Sequence, residues 1–313
     1  MTVAGIETSA LGAIGNTAIV RLQKLVPPGC ADVLVKLEYT NPTGSYKDRT
    51  ALAMIEEAEK RGDLKAGMTV VEYTGGSTGS SLAFICAVKG YRFRVVSSNA
   101  FATEKLQTMK AFGAELLIVH EESGVTTPDL IPRMMAMAEE LAVGDDCYYT
   151  NQIYNLDIIT GYRKIGTEIL LQLDRPVDAF CGSVGTAGML MGVATELRKA
   201  NPDVKIIALE PASTAVISGA SAGPHDVEGI GIGMVPPLLD PKLFDEARSI
   251  EERDARHMAR QLAEREGIFA GTSSGMNVVG AIQLARELGT GKTVVTVAVD
   301  TGLKYLTSDL YSN

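Results

Sequence analysis

Short apolar runs alternate with longer stretches of helical spacing along almost the whole chain. Residues 33–37, 69–73, 93–98 and 115–119 read as buried strands, with helical patterns at 51–58, 82–88, 104–112 and 127–141. Thr127 and Pro128 supply an N-cap and first-turn pair for the last of these. Beyond residues 148–152 the alternation begins again. A helix over 161–173 precedes a strand at 177–181, a helix at 189–200 and a strand closing at Glu210; helices at 250–266 and after 271–275 and a strand at 293–299 follow. Strands separated by helices of about ten or more residues predict parallel sheets built from βαβ units. The restart predicts two α/β domains, 1–151 and 152–313, joined without a Pro/Gly/Ser linker, with residues 14–40 free to pack with the second. No internal repeat or low-complexity segment interrupts them.

Composition narrows the chemistry. The 313 residues carry a net charge of -9, which argues against nucleic acid and anionic membrane surfaces and for small-molecule chemistry. Cys30, Cys86, Cys147 and Cys181 are scattered without a CxxC pair, as are His120, His225 and His257, so reduced thiols and no metal site are expected. Residues 1–20 show no basic segment leading into an apolar one, hence no secretory signal. The longest stretch without a charge, 267–285, contains Thr272, Ser273, Ser274, Asn277 and Gln283, too polar for a membrane span. A cytoplasmic protein is expected.

Three turns carry candidate chemistry. In Asn41 to Thr50, Pro42 and Gly44 end a strand pattern and Asp48 opens a helical one, which puts Lys47 at a strand-to-helix turn. An ammonium at the positive end of a helix dipole is disfavoured, and its pKa is expected to fall toward that of a nucleophilic amine. Taken alone, the segment also fits a solvated lysine beside an N-cap. Thr74-Gly75-Gly76-Ser77-Thr78-Gly79 follows the strand at 69–73, and Gly182-Ser183-Val184-Gly185-Thr186-Ala187-Gly188 follows the strand at 177–181. Each reads as a cup of bare backbone N–H groups for a carboxylate or phosphate, or as a tight turn whose glycines only satisfy positive φ. Gly271-Thr272-Ser273-Ser274-Gly275 opens another helix. A dinucleotide site is the rival for the second cup, with Glu210 as the ribose ligand, but its spacing is GxxGxxG rather than GxGxxG. His225, beside Pro224, reads as a local hydrogen-bonding residue, Met134, Met135 and Met137 as packing groups, and the charged helix at 250–266 as a solvated face.

A turn lysine, two anion cups and a serine-rich turn together describe a phosphorylated aldehyde held as an imine, which is pyridoxal 5'-phosphate. The chain resembles the fold type II pyridoxal phosphate enzymes, and among them the cysteine synthase and cystathionine β-synthase family (O-acetylserine sulfhydrylase-like), from Ile14-Gly15-Asn16-Thr17 to Tyr305-Leu306-Thr307. Asn41-Pro42 with Ser45-Tyr46-Lys47-Asp48-Arg49 is similar to the family's NPxxSxKDR, Gly182 with Gly185-Thr186 to its GTGGT, and Gly271 to Gly275 to its GxSSG. Gly223-Pro224-His225 with Glu228-Gly229-Ile230-Gly231 resembles the segment lining the family's cleft, and Asp300, Gly302, Tyr305 and Leu306 resemble its closing signature.

The resemblance implies two three-layer αβα domains with twisted, mainly parallel sheets, the cofactor in the cleft between them, and a homodimer. It makes Lys47 the Schiff-base lysine and puts the cofactor phosphate among Gly182, Ser183, Val184, Gly185 and Thr186. Ser77 falls to the cofactor's ring oxygen and Ser273 to the pyridine nitrogen; Thr74, Gly75, Gly76, Ser77, Thr78, Gln152 and Gly229 fall to the substrate. A serine at the pyridine nitrogen makes the ring a weak electron sink, suited to β-elimination and β-replacement. The implied reaction is β-replacement on an O-activated L-serine, such as O-acetyl-L-serine, with sulfide to give L-cysteine. Elimination by a serine/threonine dehydratase or cysteine desulfhydrase, a different donor or nucleophile, and a non-catalytic cofactor-binding or NAD-binding protein are the alternatives. Two departures bear on the donor. Thr74-Gly75-Gly76-Ser77-Thr78 replaces the family's TSGNT, losing a serine hydroxyl and an asparagine amide, and Tyr154-Asn155-Leu156-Asp157 replaces an NPANP-like stretch. Residues before Ile14 lack Cys and His, so the haem-bearing branch is not expected, nor is an appended regulatory domain.

Overall fold

The computed structural model describes residues 6–122, 127 and 129–312. Its elements in chain order are β1 (Ile19–Arg21), β2 (Asp32–Leu37), α1 (Lys47–Arg61), β3 (Thr69–Tyr73), α2 (Ser77–Lys89), β4 (Arg92–Ser98), α3 (Thr103–Ala111), β5 (Glu115–Val119) and α4 (Leu130–Leu141). Then come β6 (Cys147–Tyr149), α5 (Asp157–Gln172), β7 (Ala179–Ser183), α6 (Gly188–Ala200), β8 (Lys205–Pro211), β9 (Glu246–Ile250), α7 (Glu252–Gln261), α8 (Thr272–Leu288) and β10 (Thr293–Ala298). They form two αβα-type units. One comprises residues 1–16 and 41–157, the other 17–40 and 158–313. Among the described residues no helix is long and apolar enough to cross a membrane.

The first unit is built on a parallel sheet in the order β5-β4-β3-β6. β3 is buried at every position, as the Thr-Val-Val-Glu-Tyr run requires of a central strand covered on both faces. Val71, Tyr73 and Val96 pack with Leu130, Met134 and Ala138, so Met134 serves packing. α1 ends where Gly62 takes φ 80° and donates to the Ala58 and Glu59 carbonyls. α4 starts at Leu130 behind Asp129, three residues later than the sequence pattern suggests. Thr127 does not cap it: its hydroxyl donates to the Glu121 carboxylate at 2.7 Å. Pro128, the other half of that expected cap, lies outside the described residues.

The second unit has the strand order β1-β2-β10-β7-β8-β9, parallel except for the β1–β2 pair. β7 lies two residues further along than the predicted 177–181. The Asp178 carboxylate is taken by Lys292 and the Thr293 N–H ahead of the strand, while Gly182 and Ser183 still pair with Ala208 and Leu209. β9 was not predicted, because Glu-Ala-Arg-Ser-Ile is a half-exposed edge without an apolar run. The charged helix starts two residues later than predicted, at Glu252, runs on through a π-helical turn over Leu262–Glu266, and is not wholly solvated. Ala255 and Ala259 are buried, and a Cβ on Gly275 of α8 would stand 2.0 Å from the Ala255 carbonyl, so the two helices touch backbone to backbone.

Lys36, the next-to-last residue of β2, is fully buried. Its ammonium meets Thr17 O at 2.6 Å, Glu168 Oε2 at 2.7 Å and Gln172 Oε1 at 3.0 Å, so strand and α5 are tied by a desolvated, saturated charge. Removing one partner of such a pair strands the other. Lys36→Met should therefore destabilise the protein by about 3 kcal/mol in urea unfolding despite the apolar replacement; an unchanged midpoint would contradict this.

Candidate active site

In the first unit α1 begins at Lys47 itself, one residue before the expected start, and Lys47 N–H donates to Ser45 Oγ at 3.2 Å. The turn ahead of it is pinned from below. Asp48 is fully buried and accepts the Thr43 N–H at 2.8 Å and the Thr43 hydroxyl at 2.5 Å, while Asn41 Oδ1 accepts Gly15 N–H at 2.8 Å. Gly44 takes φ 73°, which a β-carbon would resist. Lys47 is half-buried, with its ammonium 5.3 Å from the centroid of the Tyr46 ring.

β3 runs straight into the glycine turn. Thr74 Oγ accepts the Gly76 N–H at 3.1 Å, and α2 starts at Ser77, so the N–H groups of its first turn have no carbonyl four residues back within the helix. Thr78 hydroxyl donates to Gln152 Oε1 at 2.7 Å, and Gln152 Nε2 donates to Tyr73 O at 3.3 Å. The structure thus joins three sequence-nominated stretches, the turn at 74–78, Gln152 and the β3 end. Two residues the sequence reading missed hold them. A Cβ on Gly75 would fall 2.1 Å from Phe101 Cγ, so the Phe101 ring fills the space a side chain at 75 would take. Glu72, fully buried, accepts Tyr73 N–H at 2.9 Å, Thr150 hydroxyl at 2.7 Å and Gln152 N–H at 3.0 Å. Burial pushes its carboxyl up to about 7, against the opposing pull of those three donors and of the Lys47 charge. A lone charge inside an otherwise apolar strand was the available signal for Glu72; Phe101 had none.

In the second unit β7 leads into the turn at 182–188 and α6. Ser183 N–H is held by Asn277 Oδ1 at 2.7 Å, with Asn277 Nδ2 on Val297 O at 2.9 Å, and Val184 N–H is held by Leu209 O at 2.9 Å. Ala187 takes φ 68° before α6 begins at Gly188. A Cβ on Gly185 would lie 2.5 Å from Gly229 O, so these two nominated glycines are in backbone contact. Thr186 is buried, and Ser183 Oγ is buried with no partner among the described residues. A buried hydroxyl lacking an acceptor, beside a helix N-terminus closed by glycines, suits a phosphate. The residues fit pyridoxal phosphate. Ser273 is buried in the first turn of α8, and Ser274 Oγ accepts Val299 N–H at 2.8 Å.

The residue expected to serve the rival chemistry is occupied otherwise. Glu210 is committed to Ile217 N–H, Ser218 N–H and the Ser218 hydroxyl, leaving no carboxylate for a ribose. His225 is likewise local, with Nδ1 accepting Val227 N–H and Nε2 on Gly231 O at 2.9 Å, which sets the proton on Nε2.

Mainly parallel αβα units that carry a half-buried lysine at one helix start and a glycine-closed anion cup at another define an enzyme of phosphorylated-aldehyde chemistry. Residues 10–300 match the family model described as pyridoxal-phosphate dependent enzyme, and the chain belongs to that family. It is 41% identical to a Staphylococcus aureus cysteine synthase over 304 residues, 96% of this chain and 95% of the relative. A crystal structure of O-ureido-L-serine synthase superposes with a TM-score of 0.93 at 35% identity, covering 99% of this chain and 96% of that one. The cysteine synthase of Entamoeba histolytica gives 0.91 at 34%, covering 100% and 94%.

Two outcomes follow from the first unit's packing. Gly75→Ser drives a side chain into the Phe101 ring and should cost about 1–3 kcal/mol. Phe101→Ala in the same chain should recover part of that loss, so urea midpoints of the two single variants and the double variant should show favourable coupling. For Glu72 the folded pKa of about 7 lies above the ordinary 4.5. The stabilising share of its protonated form is complete below pH 4.5 and lost as pH rises through 7, about 3 kcal/mol in all. Stability measured across that window should fall more steeply in the wild type than in Glu72→Gln.

Proposed function

We propose that the chain is a cysteine synthase-like enzyme that replaces the β-substituent of an O-activated L-serine, such as O-acetyl-L-serine, with sulfide to give L-cysteine. The observation that carries this is the 41% identity to a cysteine synthase along 96% of the chain, with Lys47 half-buried at the start of α1. The turn at 182–188 would hold the cofactor phosphate through Gly182, Ser183, Val184, Gly185 and Thr186, with Ser273 on its ring nitrogen and Ser77 on its ring oxygen. When bound, pyridoxal phosphate supplies an aldehyde for the substrate's amino group and a sink for the electrons of the broken Cα–H bond.

The chain's own residues do the rest. N–H groups and hydroxyls of Thr74, Gly75, Gly76, Ser77 and Thr78, with Gln152 and Gly229, hold the substrate and its carboxylate. The Lys47 amine takes the Cα proton as acetate leaves from Cβ; after hydrosulfide adds at Cβ, the Lys47 ammonium returns a proton to Cα. The same reading takes the protein as a cytoplasmic homodimer, supported by its resemblance to that family.

A second reading is favoured by one feature. With Gly75 lacking a side chain and Phe101 against it, the carboxylate turn presents a ring where the family presents a hydroxyl, which suits a different donor or nucleophile on the same chemistry. Product analysis separates the readings. Holoenzyme with O-acetyl-L-serine should form L-cysteine and acetate in equal amounts only when sulfide is present. Pyruvate with and without sulfide would establish elimination instead, and turnover confined to another O-substituted serine or another nucleophile would establish the second reading.

A further inference from the structure

Glu72 has no part in the roles assigned above, yet it is a fully buried carboxylate one residue from the Tyr73 carbonyl that Gln152 grips. Its two oxygens divide three donors. Oε1 takes the Tyr73 N–H; Oε2 takes the Gln152 N–H and the Thr150 hydroxyl. Thr150 and Gln152 flank Asn151, which sits at φ 43°, a left-handed conformation that asparagine tolerates but that favours no return to β6 geometry unless held. The Glu72 carboxyl group therefore fastens the turn after β6 to the end of β3 beyond the backbone bond from Thr150 N–H to Val71 O at 3.0 Å, and it is the acceptor of the Gln152 N–H. Gln152 emerges from that fastening with its amide oriented at both ends, donating to Tyr73 O and accepting from Thr78 of the glycine turn.

We propose that Glu72 is a positioning residue for the substrate-carboxylate site, fixing Gln152 and through it Thr78, without itself touching substrate. This rests on the reading of Gln152 and the turn at 74–78 as that site. The chemistry asks for a carboxyl group and no substitute. Thr150 also has Val71 O at 3.2 Å as a second acceptor, so its hydroxyl can turn, and either protonation state of Glu72 still accepts both backbone N–H groups. A glutamine cannot. Whichever way its amide turns, an NH₂ group faces the N–H of Tyr73 or that of Gln152, and one of them loses its acceptor in a dry site.

The test is the kinetics of holoenzyme with O-acetyl-L-serine and sulfide for Glu72→Gln, Gln152→Ala and the double variant, with cofactor content checked by absorbance. Glu72→Gln should raise KM for O-acetyl-L-serine about tenfold, with kcat within about threefold of wild type, sulfide KM unchanged and cofactor content full; a group that merely stabilised the fold would not split KM from kcat in this way. Gln152→Ala should raise the same KM, and the double variant should be no worse than the poorer single one, because both remove one device. Wild-type KM in Glu72→Gln beside a raised KM in Gln152→Ala overturns the role of Glu72 alone, as do effects that multiply. An unchanged KM in Gln152→Ala overturns the carboxylate-site reading and this proposal with it. Should Glu72→Gln not fold, Glu72→Asp keeps a carboxyl group but draws it back by one methylene from the Tyr73 and Gln152 N–H groups and should raise KM severalfold; no change there refutes the proposal. Should the wild type not respond to O-acetyl-L-serine, the donor assignment fails separately, and absorbance titration of the same variants with L-serine decides the role of Glu72 by the same criteria.

Discussion

The first turn of a helix has backbone N–H groups that the helix cannot satisfy, and this protein repeatedly sets such a turn directly after a parallel strand. β3 delivers α2 through Thr74-Gly75-Gly76, and β7 delivers α6 through the turn at 182–188. Strands in parallel register end on the same side of their sheet, so such donors collect at the strands' carboxyl ends, where open α/β sheets bind ligands. Glycine is required where backbone meets backbone, as at Gly185 under the Gly229 carbonyl. A partial positive charge and little side-chain bulk are then fixed by the fold, and the turn at 182–188 is buried throughout.

Holding such turns rigid falls to buried polar side chains that are fully used. Asp48 fastens the turn ahead of Lys47, Glu72 fastens the turn carrying Gln152, and Asn277 fastens Ser183 to β10. Each is buried at a cost that only complete hydrogen bonding offsets, so each is effective because it tolerates few alternatives. Lys36 plays the corresponding part at the β2–α5 contact, away from these turns.

How much of this could be read in the sequence depended on range. β3 and β5 were legible to the residue, because an apolar run bounded by turn residues specifies both ends. β9 was not, since an edge strand needs no apolar run, and the start of α4 was misplaced because the Thr127 hydroxyl serves Glu121 rather than a helix end. Turn chemistry is local, so Lys47 and the glycine cups stood out. What the sequence could not show was tertiary: the aromatic ring that makes Gly75 necessary comes from residue 101, and the donors that make Glu72 tolerable come from residues 150 and 152.

The chain belongs to the pyridoxal-phosphate dependent family, and the proposed function depends on which amine carries the cofactor. Reduction of the holoenzyme with borohydride, followed by peptide mass mapping, tests this most directly. A single pyridoxyl adduct on Lys47 is the predicted result. An adduct on another lysine, or none in a protein that retains its cofactor absorbance, would contradict it.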